Sequence, residues 1–125
     1  MKKIDLKQFV RDYIEAWSTA NAGERKQLIG KLYAESADFY ANEPGDDAME
    51  RHGQEEIFAN ITQVNERLVV NNGLLTECIG YSINHNTLKI SWLMKTPNGD
   101  VAMRGMNFLL LDASGKIAKD YIFIG

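Results

Sequence analysis

Residues 87–124 run TLKISWLMK (87–95), TPNGD (96–100), VAMRGMNFLLLD (101–112), ASG (113–115) and KIAKDYIFI (116–124). Three strand-like stretches are separated by two turn signals. Thr96-Pro97-Asn98-Gly99-Asp100 suits a type I turn whose glycine takes the left-handed position of a G1 bulge, and Asp112-Ala113-Ser114-Gly115-Lys116 has the same form. Connections this short make neighbouring strands antiparallel. Pairing Thr96 with Asp100 sets Trp92 opposite Arg104 and Ile90 opposite Met106. Pairing Asp112 with Lys116 sets Phe108 opposite Asp120 and Met106 opposite Ile122. Paired residues share a face. One face then collects Leu88, Ile90, Trp92, Met94, Arg104, Met106, Phe108, Leu110, Ala118, Asp120, Ile122 and Ile124, nearly all apolar, and needs a cover. The other face carries Leu93, Leu109, Leu111, Ile117, Tyr121 and Phe123, too apolar to stay wholly in water. This predicts a homodimer that meets through the outer face.

The cover lies upstream. Leu6, Phe9, Val10, Tyr13, Ile14 and Trp17 form one apolar stripe at helical spacing, with Asp5 as N-cap and Gln8 at the capping-box position. A shorter helix is predicted from about Glu24 to Ala34, striped by Leu28, Ile29, Leu32 and Tyr33, then a short strand over Ala37–Ala41 and an acidic loop over Glu43–Glu50. Gly53 opens a third helix striped by Ile57, Ile61, Val64 and Leu68, and Asn71-Asn72-Gly73 ends it. A further strand spans about Leu74–Ile83. Helices followed by strands predict a single α+β domain over residues 1–125, with three N-terminal helices packed on a curved antiparallel sheet.

Composition narrows the function. Apolar residues make up 45% and charged residues 25% of 125 residues, which is ordinary for a folded domain and too polar for a membrane protein. The net charge of −3 without a basic block argues against nucleic acid. Asp5, Lys7, Gln8, Arg11 and Asp12 interrupt any signal-peptide core after Met1-Lys2-Lys3, so a cytoplasmic chain is expected. Two scattered histidines, one cysteine and no glycine-rich phosphate loop predict neither a metal nor a cofactor.

The chain resembles the nuclear transport factor 2-like superfamily, in its SnoaL-like and ketosteroid-isomerase-like branch. Tyr13-Ile14-Glu15-Ala16-Trp17, Tyr33-Ala34-Glu35-Ser36-Ala37-Asp38-Phe39, Asn42-Glu43-Pro44, His52-Gly53 with Glu56-Ile57, and Leu111 to Ile117 carry the likeness. The resemblance implies a cone-shaped cavity between helices and sheet. It implies that Glu43, in an acid-Pro step, is a catalytic base and that Tyr13 stabilises an oxyanion. The place of a second oxyanion donor falls to Met106, which cannot donate, so a faithful steroid isomerase is not expected. In the cyclase branch an acid on the last strand acts as general acid/base, and Asp120 matches it.

The candidate site follows. Asp120, a lone carboxylate on an apolar face, is expected to have a raised pKa unless Arg104 pairs with it. Glu43 is a base at the cavity mouth or one charge of a solvated loop. Arg104 binds a ligand anion by its planar fork or pairs as structure. Tyr13 and Trp17 are cavity wall or core, and His52 is a pocket acid/base or a loop end. Tyr40, Trp92, Met106 and Phe108 complete the expected ligand contacts. These residues point to cofactor-free proton transfer (isomerisation, cyclisation or dehydration) on a small hydrophobic molecule. The alternatives are a non-catalytic ligand-binding domain and a dimeric association domain of the same fold.

Overall fold

The computed structural model describes residues 3–42 and 49–125. Its elements are α1 (Leu6–Ser18), α2 (Ala22–Leu32), β1 (Tyr33–Ala41), β2 (Met49–His52), α3 (Gly53–Asn65), a π-helical turn (Glu66–Val70), β3 (Leu75–Asn84), β4 (Thr87–Lys95), β5 (Val101–Leu111) and β6 (Ile117–Ile124). The strands form one sheet in the order β2-β1-β6-β5-β4-β3. All pairings are antiparallel except β1 against β6, which is parallel because α3 and the β3–β5 meander separate the two strands in sequence.

The helices start where capping chemistry allows. Asp5 accepts from Gln8 N at 3.3 Å and Asn21 accepts from Glu24 N at 2.9 Å, each satisfying a donor that the first turn leaves open. The Gln8 side chain does not return to the cap; it donates to Asp12 Oδ1 at 2.9 Å. Phe9, Val10, Tyr13 and Ala16 of α1 are buried on the concave sheet face, with Ile29 and Leu32 of α2 and Ile57 and Ile61 of α3.

Two boundaries differ from the sequence reading. α2 stops at Leu32, and Tyr33 begins β1 instead of extending the helical stripe. Met49 and Glu50, read as the end of the acidic loop, begin a short strand, Met49–His52, that pairs with Asp38–Ala41.

Both turns form as expected. Thr96 N donates to Asp100 O at 2.8 Å and Asp112 N to Lys116 O at 2.7 Å, with Gly99 and Gly115 at φ +91° and +85°. Each is followed by a second bulge within the strand. Lys95 pairs with Val101 but Met94 with Met103, so Ala102 is extra. Leu111 pairs with Ile117 but Leu110 with Lys119, so Ala118 is extra. A bulge adds one residue and flips the alternation beyond it. β5 is therefore inverted relative to the sequence reading: Met103, Gly105, Asn107, Leu109 and Leu111 face inward, while Arg104, Met106, Phe108 and Leu110 face outward. The second bulge cancels the first, so Asp120, Ile122 and Ile124 of β6 keep the inward face predicted for them, with Asp120 opposite Leu109 instead of Phe108. The bulges also add twist and bend, which curves the sheet around the helices.

Candidate functional site

A cavity of about 590 Å³ lies between the concave sheet and the helices. This falls within the range of small-molecule sites. Its wall is mostly apolar, built by Trp17, Phe39, Trp92, Met94, Met103 and Ile122. Trp17 is half-buried and packs on Phe39 at 5.9 Å between ring centroids, so it is cavity wall more than core.

Tyr13 and Asn107 form the floor, each 1% exposed. Behind them lies Asp120, 0% exposed and not itself on the cavity wall. Tyr13 and Tyr33 each donate a hydroxyl to Asp120 Oδ2 at 2.7 Å, and Asn107 Nδ2 donates to Oδ1 at 2.8 Å. Trp92 Nε1 donates to Asn107 Oδ1 at 2.8 Å. An indole nitrogen can only donate, and this fixes the amide so that its NH₂ turns to the carboxylate. Burial raises the Asp120 pKa to about 6, against the pull of the donors from Asn107, Tyr33 and Tyr13. Burial, then the neighbouring Asp120 charge, pushes the Tyr13 hydroxyl well above its usual value; the same two causes act on Tyr33.

Gly105 makes this arrangement possible. It pairs with Trp92 across β4 and β5, and a Cβ there would meet the indole Cζ2 at 2.4 Å and Phe123 O at 2.8 Å. The indole lies over the glycine to reach Asn107. Gly105→Ala is expected to displace Trp92 and cost about 1–3 kcal/mol, the usual range for overpacking. A shifted tryptophan emission together with a lower urea midpoint would show it; an unchanged emission spectrum would refute it.

The charged side chains on the described cavity wall are basic. Arg51 on β2 and Arg67 in the π-helical turn line the cavity, with Gln63 beside them, and Gln63 and Arg67 are exposed. The π turn, with Asn71 N donating to Glu66 O at 2.9 Å, brings the successive residues Arg67, Leu68 and Val69 onto the cavity wall. Such turns recur at functional sites. Among the described residues no aspartate, glutamate or histidine lines the cavity, and no group of three or more His, Cys, Asp or Glu side chains could hold a metal.

Several expected contacts lie elsewhere. Arg104, Met106 and Phe108 sit on the outer face, because the Ala102 bulge inverts β5; Arg104 therefore does not pair with Asp120. Tyr40 is also on the outer face, stacked on Tyr121 at 5.0 Å with Lys119 Nζ 5.6 Å from its ring centroid. His52 is exposed at the start of α3, where its Nδ1 lies 2.7 Å from Asp38 Oδ1; that bond raises its pKa. Glu43, with Pro44, lies outside the described residues. The structure brings Tyr13, Trp17 and Trp92 together at the cavity and sets Asp120 behind its floor. Asn107, Tyr33, Arg51, Arg67 and Gly105 were missed. The one available signal was a glycine inside a strand, which marks close approach of another group.

Solved structures share this architecture. A proposed isomerase of the SnoaL-like family from Agrobacterium tumefaciens superposes with a TM-score of 0.82 at 22% identity, over 95% of this chain and 96% of that one. The chain has the nuclear transport factor 2-like fold. A SnoaL-like protein of unknown function from Burkholderia thailandensis gives a TM-score of 0.71 at 15% identity, over 99% of both chains. A nuclear transport factor 2-like protein of unknown function from Mesorhizobium loti gives 0.71 at 13% identity, over 95% of this chain and 89% of that one. No family model and no curated protein matches the sequence. Identities this low establish the fold alone. Met106, to which the family resemblance gave the place of a second donor, sits on the outer face, and its neighbour Asn107 lines the cavity.

Proposed function

We propose that this SnoaL-like chain binds a small, mostly apolar molecule in its cavity and moves a proton on it without a cofactor, as an isomerase, cyclase or dehydratase would. One observation carries the reading: Tyr13, on the cavity floor, is bonded at 2.7 Å to a buried carboxylate whose pKa lies near 6. With Asp120 ionised, the Tyr13 proton points at the carboxylate and its oxygen accepts from a ligand. With Asp120 protonated, that proton is free to turn toward a ligand oxygen and stabilise developing negative charge. Tyr13 would touch the substrate, and Asp120 would act through it as a positioning residue. The SnoaL-like protein proposed as an isomerase supports this reading by analogy.

Exchange of the α-protons of 2-tetralone in heavy water, followed by proton NMR, tests it without knowledge of the natural substrate. The protein is expected to accelerate exchange, and Tyr13→Phe to reduce the acceleration by about 100-fold, the low end of general acid–base contributions. Binding of 2-tetralone and related ketones without any acceleration would sink the catalytic reading.

Non-catalytic binding is favoured by a different observation. Both Asp120 oxygens are already paired within the protein, and the described cavity wall offers no carboxylate or histidine. An association domain with a filled interior fits less well, since Trp92, Met94 and Met103 line the cavity without closing it.

The same reading includes a cytoplasmic homodimer. Met106, Phe108 and Leu110 replace Leu109, Leu111 and Ile117 on the outer face, joining Leu93, Tyr121 and Phe123, of which Phe123 is 47% exposed. Light scattering at micromolar concentration is expected to give twice the 14.1 kDa chain mass; a monomer would refute this.

A further inference from the structure

The charges around the cavity are distributed unlike those of the chain as a whole. Acidic residues outnumber basic ones, 17 to 14, yet the charged side chains on the described cavity wall are the guanidiniums of Arg51 and Arg67. Neither makes a salt bridge among the described residues, and among them Arg51 donates to Glu50 O, at 2.7 Å. They come from separate elements. Arg51 pairs with Phe39 in the β1–β2 ladder and so shares its inward face, and Arg67 is carried onto the wall by the π-helical turn. The buried floor has the reverse character, because the Asp120 carboxylate lies directly behind Tyr13 and Asn107.

The floor can be read atom by atom. Tyr13 gives its proton to Asp120, so its oxygen is left to accept. Asn107 gives one N–H to Asp120 and takes the indole N–H of Trp92 on its oxygen, so one amide N–H is left to donate. A group that donates once and accepts once satisfies both, and a hydroxyl is the simplest such group. A carboxylate at the floor would face Asp120, and an ammonium would leave the amide N–H unmatched. At the mouth the requirement reverses: two guanidiniums present donors in the planar fork that matches a carboxylate.

We propose that the cavity takes a hydroxylated, mostly apolar carboxylic acid, with its hydroxyl on Tyr13 and Asn107 at the floor and its carboxylate on Arg51 and Arg67 at the mouth. This inference rests on the cavity being the ligand site and goes beyond it by fixing the ligand's chemistry and direction.

Isothermal titration calorimetry with three probes tests it: 6-hydroxy-2-naphthoic acid, its methyl ester, and 2-naphthol, at low salt and pH 7.5. The acid is expected to bind about tenfold tighter than the ester and 2-naphthol, a modest factor because the arginines are partly in water. The advantage should shrink as salt is raised. In Arg51→Gln/Arg67→Gln the advantage of the acid over 2-naphthol is expected to vanish, while Lys89→Gln, on the outer face, preserves it. Tyr13→Phe is expected to weaken all three probes. Binding of 2-naphthol that depends on Tyr13, with no preference for the acid, would overturn this inference and leave the cavity reading standing. A preference for the acid that survives in the double variant would also overturn it. Failure of all three probes to bind at millimolar concentration would overturn both.

Discussion

Replacing Asp120 by asparagine is expected to remove a pH dependence of about 3 kcal/mol from the stability of the fold. An unfolded aspartate titrates near 4, whereas burial holds Asp120 at about 6 in the folded chain. Between these values the folded state keeps a proton that the unfolded state has lost. Stability therefore falls as pH rises, at about 1.4 kcal/mol per unit over about two units. The contribution is complete below pH 4 and gone above pH 6. Asp12, Asp38 and Asp112 shift the other way: Lys31 and Gln8 outweigh burial at Asp12, His52 and Lys119 lower Asp38, and Ser114 and Lys116 lower Asp112. Their stabilisation is gained with rising pH, but both proteins share it and it cancels in the difference. Urea titrations at pH 4, 5, 6 and 7 should show the wild-type advantage over Asp120→Asn shrinking by about 3 kcal/mol. Parallel profiles would mean that Asp120 ionises at its ordinary pKa, and the proton-transfer reading would lose its support. Asp120→Ala should be worse at every pH, because it strands Tyr13, Tyr33 and Asn107, at about 1–3 kcal/mol for each buried group left without a partner.

The second large effect is at Arg25, which is 1% exposed and has no carboxylate partner among the described residues. Its Nε donates to Ala16 O at 3.1 Å, its Nη2 to Thr19 O, and its Nη1 to Thr62 Oγ1 at 3.1 Å. Ala16 and Thr19 are at the C-terminal end of α1, where carbonyls lack helical partners and the helix dipole is negative. α1 has no basic residue in its own last turn, so α2 supplies the charge. Arg25→Met keeps the aliphatic stem and strands both carbonyls. The expected cost is about 3 kcal/mol in denaturant titration, from two unsatisfied buried acceptors. A loss below about 1 kcal/mol would place Arg25 among ordinary surface substitutions. The damage should reach the cavity, since Trp17 and Tyr13 lie on the helix that Arg25 anchors and Asn65 ties Trp17 O to α3 at 2.8 Å.

Arg25 shows the limit of a sequence reading. A single arginine at the start of a polar helix looks like a solvated charge, and only the docking of α2 on α1 and α3 buries it. The stripe of α1, the two G1-bulge turns and the order of helices and strands were legible, because helical period and turn chemistry are local properties of the chain. They were enough for the fold; Asp120 faces inward as expected because two bulges that they do not mark cancel each other. They were not enough for the middle of β5. The bulges at Ala102 and Ala118 arise from the bend of the whole sheet, and nothing in the residues around them marks the extra unit. One bulge moved Arg104, Met106 and Phe108 out of the cavity and brought Asn107 in; the second restored the register of β6. Tyr33 and Arg51 were hidden for a similar reason, since their places depend on β1 pairing with β6 and β2 across long sequence separations. By itself the sequence determined the α+β architecture and the helix that carries Tyr13. The tertiary structure alone decided which side chains meet at the cavity, because each bulge and each distant strand pairing sets a face by long-range packing.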